Sequence, residues 1–137
     1  MALISTKGMY GLSAMYELSL IQSEKPTQIK EISERAKIPQ NYLEQLLVIL
    51  RRAELVKSVR GAHGGYFLAR SARDILVKDI LIALEGSLNI VQQSVENPAL
   101  ELFYKESNDK LESIFDISLD QLQEYQDKLA YQLNYSI

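Results

Sequence analysis

The fold is decided by residues 29–70, which read IKEISERAKIPQNYLEQLLVILRRAELVKSVRGAHGGYFLAR. A helix is predicted from Gln40 to Ala53, because four leucines fall at the i, i+3, i+4 and i+7 positions of one buried stripe: Leu43, Leu46, Leu47 and Leu50. A shorter helix is predicted from Ile29 to Ala36. Pro39 has no N–H, so it fits at the start of the second helix but not inside a continuous one. The stretch therefore predicts two helices joined by a tight turn.

Beyond Ala53 the period of the sequence changes. Leu55, Lys57 and Val59 alternate with Val56, Ser58 and Arg60, a glycine-rich run spans residues 61–65, and a second short run extends from Tyr66 to Arg70. Two short strands around such a tip are typical of a β-hairpin. The fold class predicted is mainly α with a small β-hairpin wing, a winged helix-turn-helix followed by a C-terminal helical dimerisation arm.

The face of the predicted Gln40–Ala53 helix opposite the leucines is polar, and it carries Asn41, Glu44, Gln45, Arg51 and Arg52. Short polar side chains near the start of a helix suit base edges in the major groove, and arginines near its end suit phosphates. At the tip of the hairpin, Arg60 and His63 lie beside Gly61, which permits the backbone to approach another surface closely. An arginine at that place suits the narrow minor groove. An ordinary hairpin with a solvated arginine is the alternative.

The N-terminal helix offers a second contact with DNA. Ser5 or Thr6 can cap it, and Thr6, Lys7 and Tyr10 would form a phosphate clamp if that end of the helix faces DNA. A capped helix with a solvated lysine remains open as an alternative. The helix is expected to end at Lys25-Pro-Thr27, with Thr27 capping the next helix.

The C-terminal half is predicted to be helical. Leu76 to Leu84 is a short apolar helix closed by Gly86, which we expect to pack beneath the winged helix. Residues 87–96 read as a loop, and a capping box at Ser118-Leu-Asp-Gln121 starts a last helix to about Lys128. The chain is thus expected to comprise a DNA-binding domain, residues 1–86, and a loop with dimerisation and C-terminal helices, residues 87–137.

A long helix starts at Asn97-Pro98, with Asn97 as the cap. Its apolar stripe is large for an arm outside a small core: Leu100, Phe103, Tyr104, Leu111, Ile114 and Phe115. A two-fold partner would cover this stripe, and a dimer suits an operator with matching half-sites. Packing within the same chain is the alternative.

Charge is distributed unevenly along the 137 residues, whose net charge is −3. Residues 1–73 hold 11 Lys and Arg against 6 Asp and Glu, whereas residues 74–137 hold 4 against 12. The basic half is the half that carries the winged helix, as expected of a DNA-reading domain joined to an acidic arm.

Composition narrows the function classes. The absence of cysteine excludes disulfides, thiolate metal sites and a cysteine nucleophile, and the chain has a single histidine. The run at residues 61–65 lacks the ending of a phosphate-binding loop, so an enzyme is not expected, nor a metal or cofactor. No secretory signal or membrane-length apolar run is present, and a cytoplasmic protein without a membrane partner is expected.

Four motifs together resemble the Rrf2 family of bacterial winged-helix transcription regulators, the IscR, NsrR and CymR type. They are Ser5-Thr-Lys-Gly-Met-Tyr-Gly11, Asn41-Tyr-Leu-Glu-Gln-Leu46, Leu55-Val-Lys-Ser-Val-Arg-Gly61 and Gly64-Gly-Tyr66. The resemblance implies a homodimer on a palindromic operator of double-stranded DNA, more often as a repressor. It implies that Asn41, Tyr42, Glu44 and Gln45 lie at the major groove, Arg60 in the minor groove, and Thr6, Lys7 and Arg51 near phosphates. Tyr42 fits the core equally well.

The sequence departs from the cluster-binding members of that family. Those members place three cysteines in the loop that corresponds to residues 87–96, where this chain has none, so it resembles the cluster-free, CymR-like members. That resemblance implies a role in cysteine or sulfur metabolism and a partner, O-acetylserine sulfhydrylase (cysteine synthase), whose active site accepts a C-terminal isoleucine such as Ile137. A winged-helix adaptor that binds a protein and not specific DNA is the alternative function.

Overall fold

The computed structural model describes residues 2–135. Within them it contains six α-helices, one two-stranded antiparallel sheet and two short 3-10 turns. The helices are α1 (Thr6–Leu20), α2 (Ile29–Ala36), α3 (Gln40–Arg52), α4 (Val77–Glu85), α5 (Pro98–Ile114) and α6 (Glu124–Tyr135); the strands are β1 (Val56–Val59) and β2 (Gly65–Leu68); the 3-10 turns are Ala72–Asp74 and Leu119–Gln123. The predicted mainly α fold with a small hairpin is confirmed.

The core lies where α1, α2, α3 and α4 meet. The four leucines of α3 are at most 1% exposed, and they pack with Met15 of α1, Ile32 of α2 and Ile80 of α4. The turn between α2 and α3 is closed by Lys37, which adopts the left-handed conformation (φ 57°) and whose N–H donates to the carbonyl of Ser33. A tight left-handed residue of this kind ends one helix and redirects the chain into the next.

Helix α4 packs closely against α1 because glycine removes a side chain at the contact. A Cβ on Gly11 would lie 2.2 Å from Cδ1 of Leu84, a residue that is itself buried in the core. Ile80 and Leu84 belong to the same cluster as the α3 leucines. Helix α4 therefore packs beneath the winged helix, as the sequence predicted.

The wing pairs β1 with β2 in the register Val56↔Leu68 to Val59↔Gly65. Its tip depends on two glycines: Gly61 has φ +111°, and a Cβ on Gly64 would lie 2.2 Å from the carbonyl oxygen of Val59. The hairpin is anchored to the segment before α2, since Thr27 and Tyr66 exchange two backbone hydrogen bonds of 3.0 and 2.8 Å.

Three helix ends differ from the sequence prediction. Helix α1 ends at Leu20 and not near Lys25, because Ile21 is already extended. Thr27 does not cap α2: its backbone is committed to Tyr66 of the wing, and Gln28 is the residue before the helix. Helix α6 continues past Lys128 to Tyr135, since this segment contains no glycine or proline to stop it.

The C-terminal elements return to the domain at a second, smaller cluster. Val77 and Leu81 of α4 are buried there with Leu88, and Ile4 and Phe115 pack against them. The capping box forms, with the N–H of Ser118 donating to Oε1 of Gln121 at 2.7 Å, but it opens the 3-10 turn that leads into α6 and not the helix itself. No helix within residues 2–135 is both long and apolar enough to cross a membrane.

Candidate nucleic-acid interface

Helix α3 presents the polar face that the sequence indicated. Its leucines are buried, whereas Asn41, Glu44, Gln45, Arg51 and Arg52 are all exposed. Asn41, Glu44 and Gln45 lie in the first two turns, and the arginines lie in the last turn. The face can therefore offer short polar groups to base edges and positive charge to the backbone of one nucleic-acid segment.

Tyr10 and Tyr42 join α1 to α3 beside this face. Their rings meet edge-on, with centroids 5.7 Å apart and planes at 81°. Both side chains are half-buried and pack against the core. An edge-to-face pair of this kind fixes the start of α1 next to the start of α3. The two tyrosines thus have a packing role in addition to any contact with DNA.

The wing brings a second arginine next to α3. Arg51 of α3 and Arg60 of the wing line one cleft of about 240 Å³, together with Ser58 and Tyr66. Both arginines are exposed, and neither forms an ion pair with any residue that the structure describes. Gly61 follows Arg60 in open space, where even an added Cβ would meet nothing within 4 Å. The two guanidinium groups are therefore available to anionic oxygens on one side of the molecule.

The first turn of α1 supplies the remaining predicted contacts. Ser5, not Thr6, is the capping residue, since its Oγ accepts a hydrogen bond from the N–H of Gly8 at 3.4 Å. Thr6 and Lys7 are exposed in this turn. Ser5 is itself held by Glu85 at the end of α4, whose Oε1 accepts from its N–H at 2.7 Å and from its Oγ at 2.8 Å. No local sequence pattern points to Glu85 as a partner of Ser5, because the two residues lie 80 positions apart.

The ion pairs of the described residues lie in the C-terminal half. They are Lys78 with Asp116 at 3.7 Å and Lys105 with Asp109 at 3.4 Å. The basic residues of α1, α3 and the wing are thus not neutralised by carboxylates within residues 2–135. Glu44 is the acidic group on the α3 face, and it is exposed.

Helix α5 leaves most of its apolar stripe uncovered. Phe103 and Ile114 are 60% and 63% exposed, Leu100 is 48% exposed, and no residue of α5 is buried. Tyr104 and Leu111 are half-buried. Phe115, which follows the helix, packs against the second cluster of its own chain. For this residue the alternative of packing within the same chain therefore applies.

A cavity of about 350 Å³ lies between α5 and the loop of residues 87–96, beside Tyr104 and Lys105. The loop is fastened there, because the N–H of Ile90 donates to Oδ1 of Asn108 at 2.9 Å. No group of three or more His, Asp or Glu side chains within residues 2–135 is arranged to hold a metal ion. Ile137, the predicted partner tail, lies outside the described residues.

Comparison with known proteins matches most of the chain. The sequence model of the Rrf2 family, described as an iron-dependent transcriptional regulator, matches residues 4–130. The HTH-type transcriptional regulator CymR of Bacillus subtilis (strain 168) is 40% identical over 126 residues, which are 90% of this chain and 91% of that protein.

Solved structures agree with this match. The structure of B. subtilis CymR, the global cysteine regulator of that organism, superposes with a TM-score of 0.80 at 40% identity and covers 91% of this chain and 98% of that one. The structure of T. potens IscR superposes with a TM-score of 0.75 at 38% identity and covers 92% of this chain and 89% of that one. The winged helix-turn-helix fold is thereby confirmed.

Proposed function

This chain belongs to the Rrf2 family of DNA-binding transcriptional regulators, and on that premise we propose that it is a homodimeric repressor that binds a palindromic operator without an iron–sulfur cluster. The observation that carries the proposal is the cleft where Arg51 of α3 meets Arg60 of the wing, beside an exposed polar helix face. A protein with that target works in the cytoplasm.

We assign each DNA contact from the position of the residue on α3, on the wing or on α1. Asn41, Glu44 and Gln45 read base edges in the major groove, because they occupy the exposed start of α3. Arg60 enters the minor groove from the wing tip, with Gly61 allowing the backbone to come close. Tyr42 lies at the major groove beside these α3 residues, and the positioning contacts to phosphate come from Thr6, Lys7, Tyr10 and Arg51.

Dimerisation is assigned to the arm, residues 87–137, and DNA binding to residues 1–86. The apolar stripe of α5 supports this assignment, because Leu100, Phe103 and Ile114 stay about half exposed or more in a single chain. A second copy related by two-fold symmetry would cover the same stripe on both chains and would set two reading helices against the two half-sites of an operator.

The residues present do not fit an iron centre, although the family is described as iron-dependent. The chain has no cysteine to hold a cluster by thiolates. Within residues 2–135 there is also no cluster of three histidine or carboxylate side chains. The chain therefore offers no thiolate ligands for a cluster, and its described residues offer no other group suited to iron.

We also propose cysteine or sulfur metabolism as the regulated process and cysteine synthase as a protein partner. Support comes from the likeness to B. subtilis CymR, described as a global cysteine regulator. The test is a titration of the host's cysteine synthase with the full chain and with a version that lacks Ile137. Tight binding by the full chain alone supports the partnership, whereas equal binding, or none by either, contradicts it.

The function is tested by fluorescence anisotropy with a duplex selected from random DNA and a shuffled duplex of the same composition. Specific binding should persist at salt concentrations that remove the shuffled duplex, since non-specific binding is almost entirely electrostatic and falls steeply between about 50 and 200 mM salt. Equal affinity for both duplexes, with the same salt dependence, would instead favour the protein adaptor.

A further inference from the structure

Glu85 joins two parts of the molecule that are far apart in the sequence. It is the last residue of α4 and is half-buried. Its Oε1 accepts hydrogen bonds from both the N–H and the Oγ of Ser5, at 2.7 and 2.8 Å. The same Oγ accepts from the N–H of Gly8, so one carboxylate oxygen orients the group that caps α1. Hydrogen bonds to an ionised acceptor are roughly twice as strong as neutral ones.

Gly8 makes this contact sterically possible. A Cβ at this position would lie 2.3 Å from Oε1 of Glu85 and 2.9 Å from Cγ2 of Ile4. Both distances are far below ordinary contact, and Glu85 and Ile4 flank the glycine at the first turn of α1. The absence of a side chain at Gly8 is therefore what lets the end of α4 approach the start of α1 so closely.

The same place is tied to the loop of residues 87–96. Gly86 follows Glu85 with φ +87°, and Leu88 is then buried among Val77 and Leu81 of α4. Ile4, the residue before Ser5, packs on that cluster as well. Leu88 at the start of the loop and Ile4 just before α1 thus pack in the same small apolar cluster, next to the contact between Glu85 and Ser5.

We propose that Glu85 is a positioning residue for DNA binding. It fixes the first turn of α1, so that Thr6 and Lys7 are held beside the exposed polar face of α3. It also links that turn to the loop of residues 87–96. This inference rests on the proposed DNA-binding function. A carboxylate near DNA is repelled by phosphate, so the charge of Glu85 alone opposes binding. The geometric role and the electrostatic role therefore predict opposite signs when the carboxylate is removed.

The test measures the affinity of the full chain for the selected duplex as a function of salt. Glu85→Ala should weaken binding of the dimer about five- to tenfold, corresponding to roughly 1–1.4 kcal/mol. It should also reduce the steepness of log K against log salt by about two, the signature of one lost phosphate contact in each of the two protomers. Glu85→Gln keeps an acceptor oxygen and should retain most of the affinity. Asp79→Ala is the matched control, since it removes one carboxylate from an exposed position on the same helix.

A second variant reaches the contact from the other side without a change of charge. Gly8→Ala should displace the Glu85 carboxylate and reproduce the loss of affinity and of salt slope, while alanine favours the helix. This variant decides the question if Glu85→Ala fails to fold.

Two results separate the possible failures. If Glu85→Ala and Gly8→Ala bind the duplex as tightly as the parent or more tightly, while Lys7→Ala binds more weakly, the positioning role is overturned and the proposed function stands. If Lys7→Ala and Arg60→Ala also bind as the parent does, the proposed DNA-binding surface itself is wrong.

Discussion

Replacing Arg60 by alanine should weaken specific DNA binding and leave the fold intact. Arg60 is exposed at the wing tip, forms no ion pair with a described residue, and precedes a glycine in open space. A surface substitution at such a position changes the free energy of unfolding by about 0.5 kcal/mol or less. Thermal unfolding of the variant should therefore be close to that of the parent.

The expected loss of DNA affinity follows from the minor-groove contact that we assign to Arg60. An arginine that contacts base edges in a groove contributes about 1–3 kcal/mol to binding. A homodimer carries two wings, so even the lower value amounts to about 2 kcal/mol, or roughly a 25-fold rise in Kd. The effect on DNA binding is thus several times larger than the effect on stability.

The assay is a titration of the selected duplex followed by fluorescence anisotropy. Arg73→Ala is the control, because it removes the same charge from an exposed position on the 3-10 turn after the wing. Its effect should be small, since bulk charge is screened over about 8 Å at physiological salt. The assignment of the wing is refuted if Arg60→Ala loses no more affinity than Arg73→Ala.

Three further outcomes are expected. Glu44→Ala should relax discrimination at one base pair by about 1–3 kcal/mol while total affinity stays the same or rises, measured with single-substitution competitor duplexes; unchanged discrimination would remove Glu44 from the reading face. Ile114→Asp should give monomers by sedimentation, because an unpaired charge in an apolar interface costs several kcal/mol, whereas Leu102→Asp, equally exposed but on the opposite face of α5, should keep the dimer. Gly11→Ala should lower the free energy of unfolding by about 1–2 kcal/mol in urea, because overpacking against Leu84 exceeds the gain in helix propensity; a stabilised variant would show that α1 and α4 can separate at little cost.

The position of Phe115 shows why the choice of the interface variant matters. The sequence places Phe115 on the same stripe as Ile114, but the structure packs it against Val77, Leu81 and Leu88. An aspartate at Phe115 would disturb the fold of one chain as well as any dimer. Ile114 is the clean test, since 63% of it is exposed before any partner is added.

Local signals were enough for most of the fold. The leucine spacing of α3, the proline at position 39 and the pair Asn97-Pro98 each act over a few residues, and the helices begin where these signals indicate. Asn97 caps α5 with hydrogen bonds of 2.9 and 3.2 Å to two backbone N–H groups. Capping and apolar periodicity are local physics, so a single sequence displays them.

The parts that the sequence could not predict depend on contacts between distant residues. Thr27 has the chemistry of a helix cap, yet its backbone groups pair with Tyr66, almost 40 positions away. The bond between Glu85 and Ser5 spans 80 positions. Such choices are made by tertiary packing, which overrides the local preference of the residue.

Whether the protein is a homodimer that reads a palindrome can be measured by letting the full chain select DNA from a pool of random duplexes. We expect enrichment of an inverted repeat whose half-sites are centred one helical turn or a multiple apart, about 34–36 Å per turn. Sequences that remain random after selection, or a single half-site without symmetry, would contradict it.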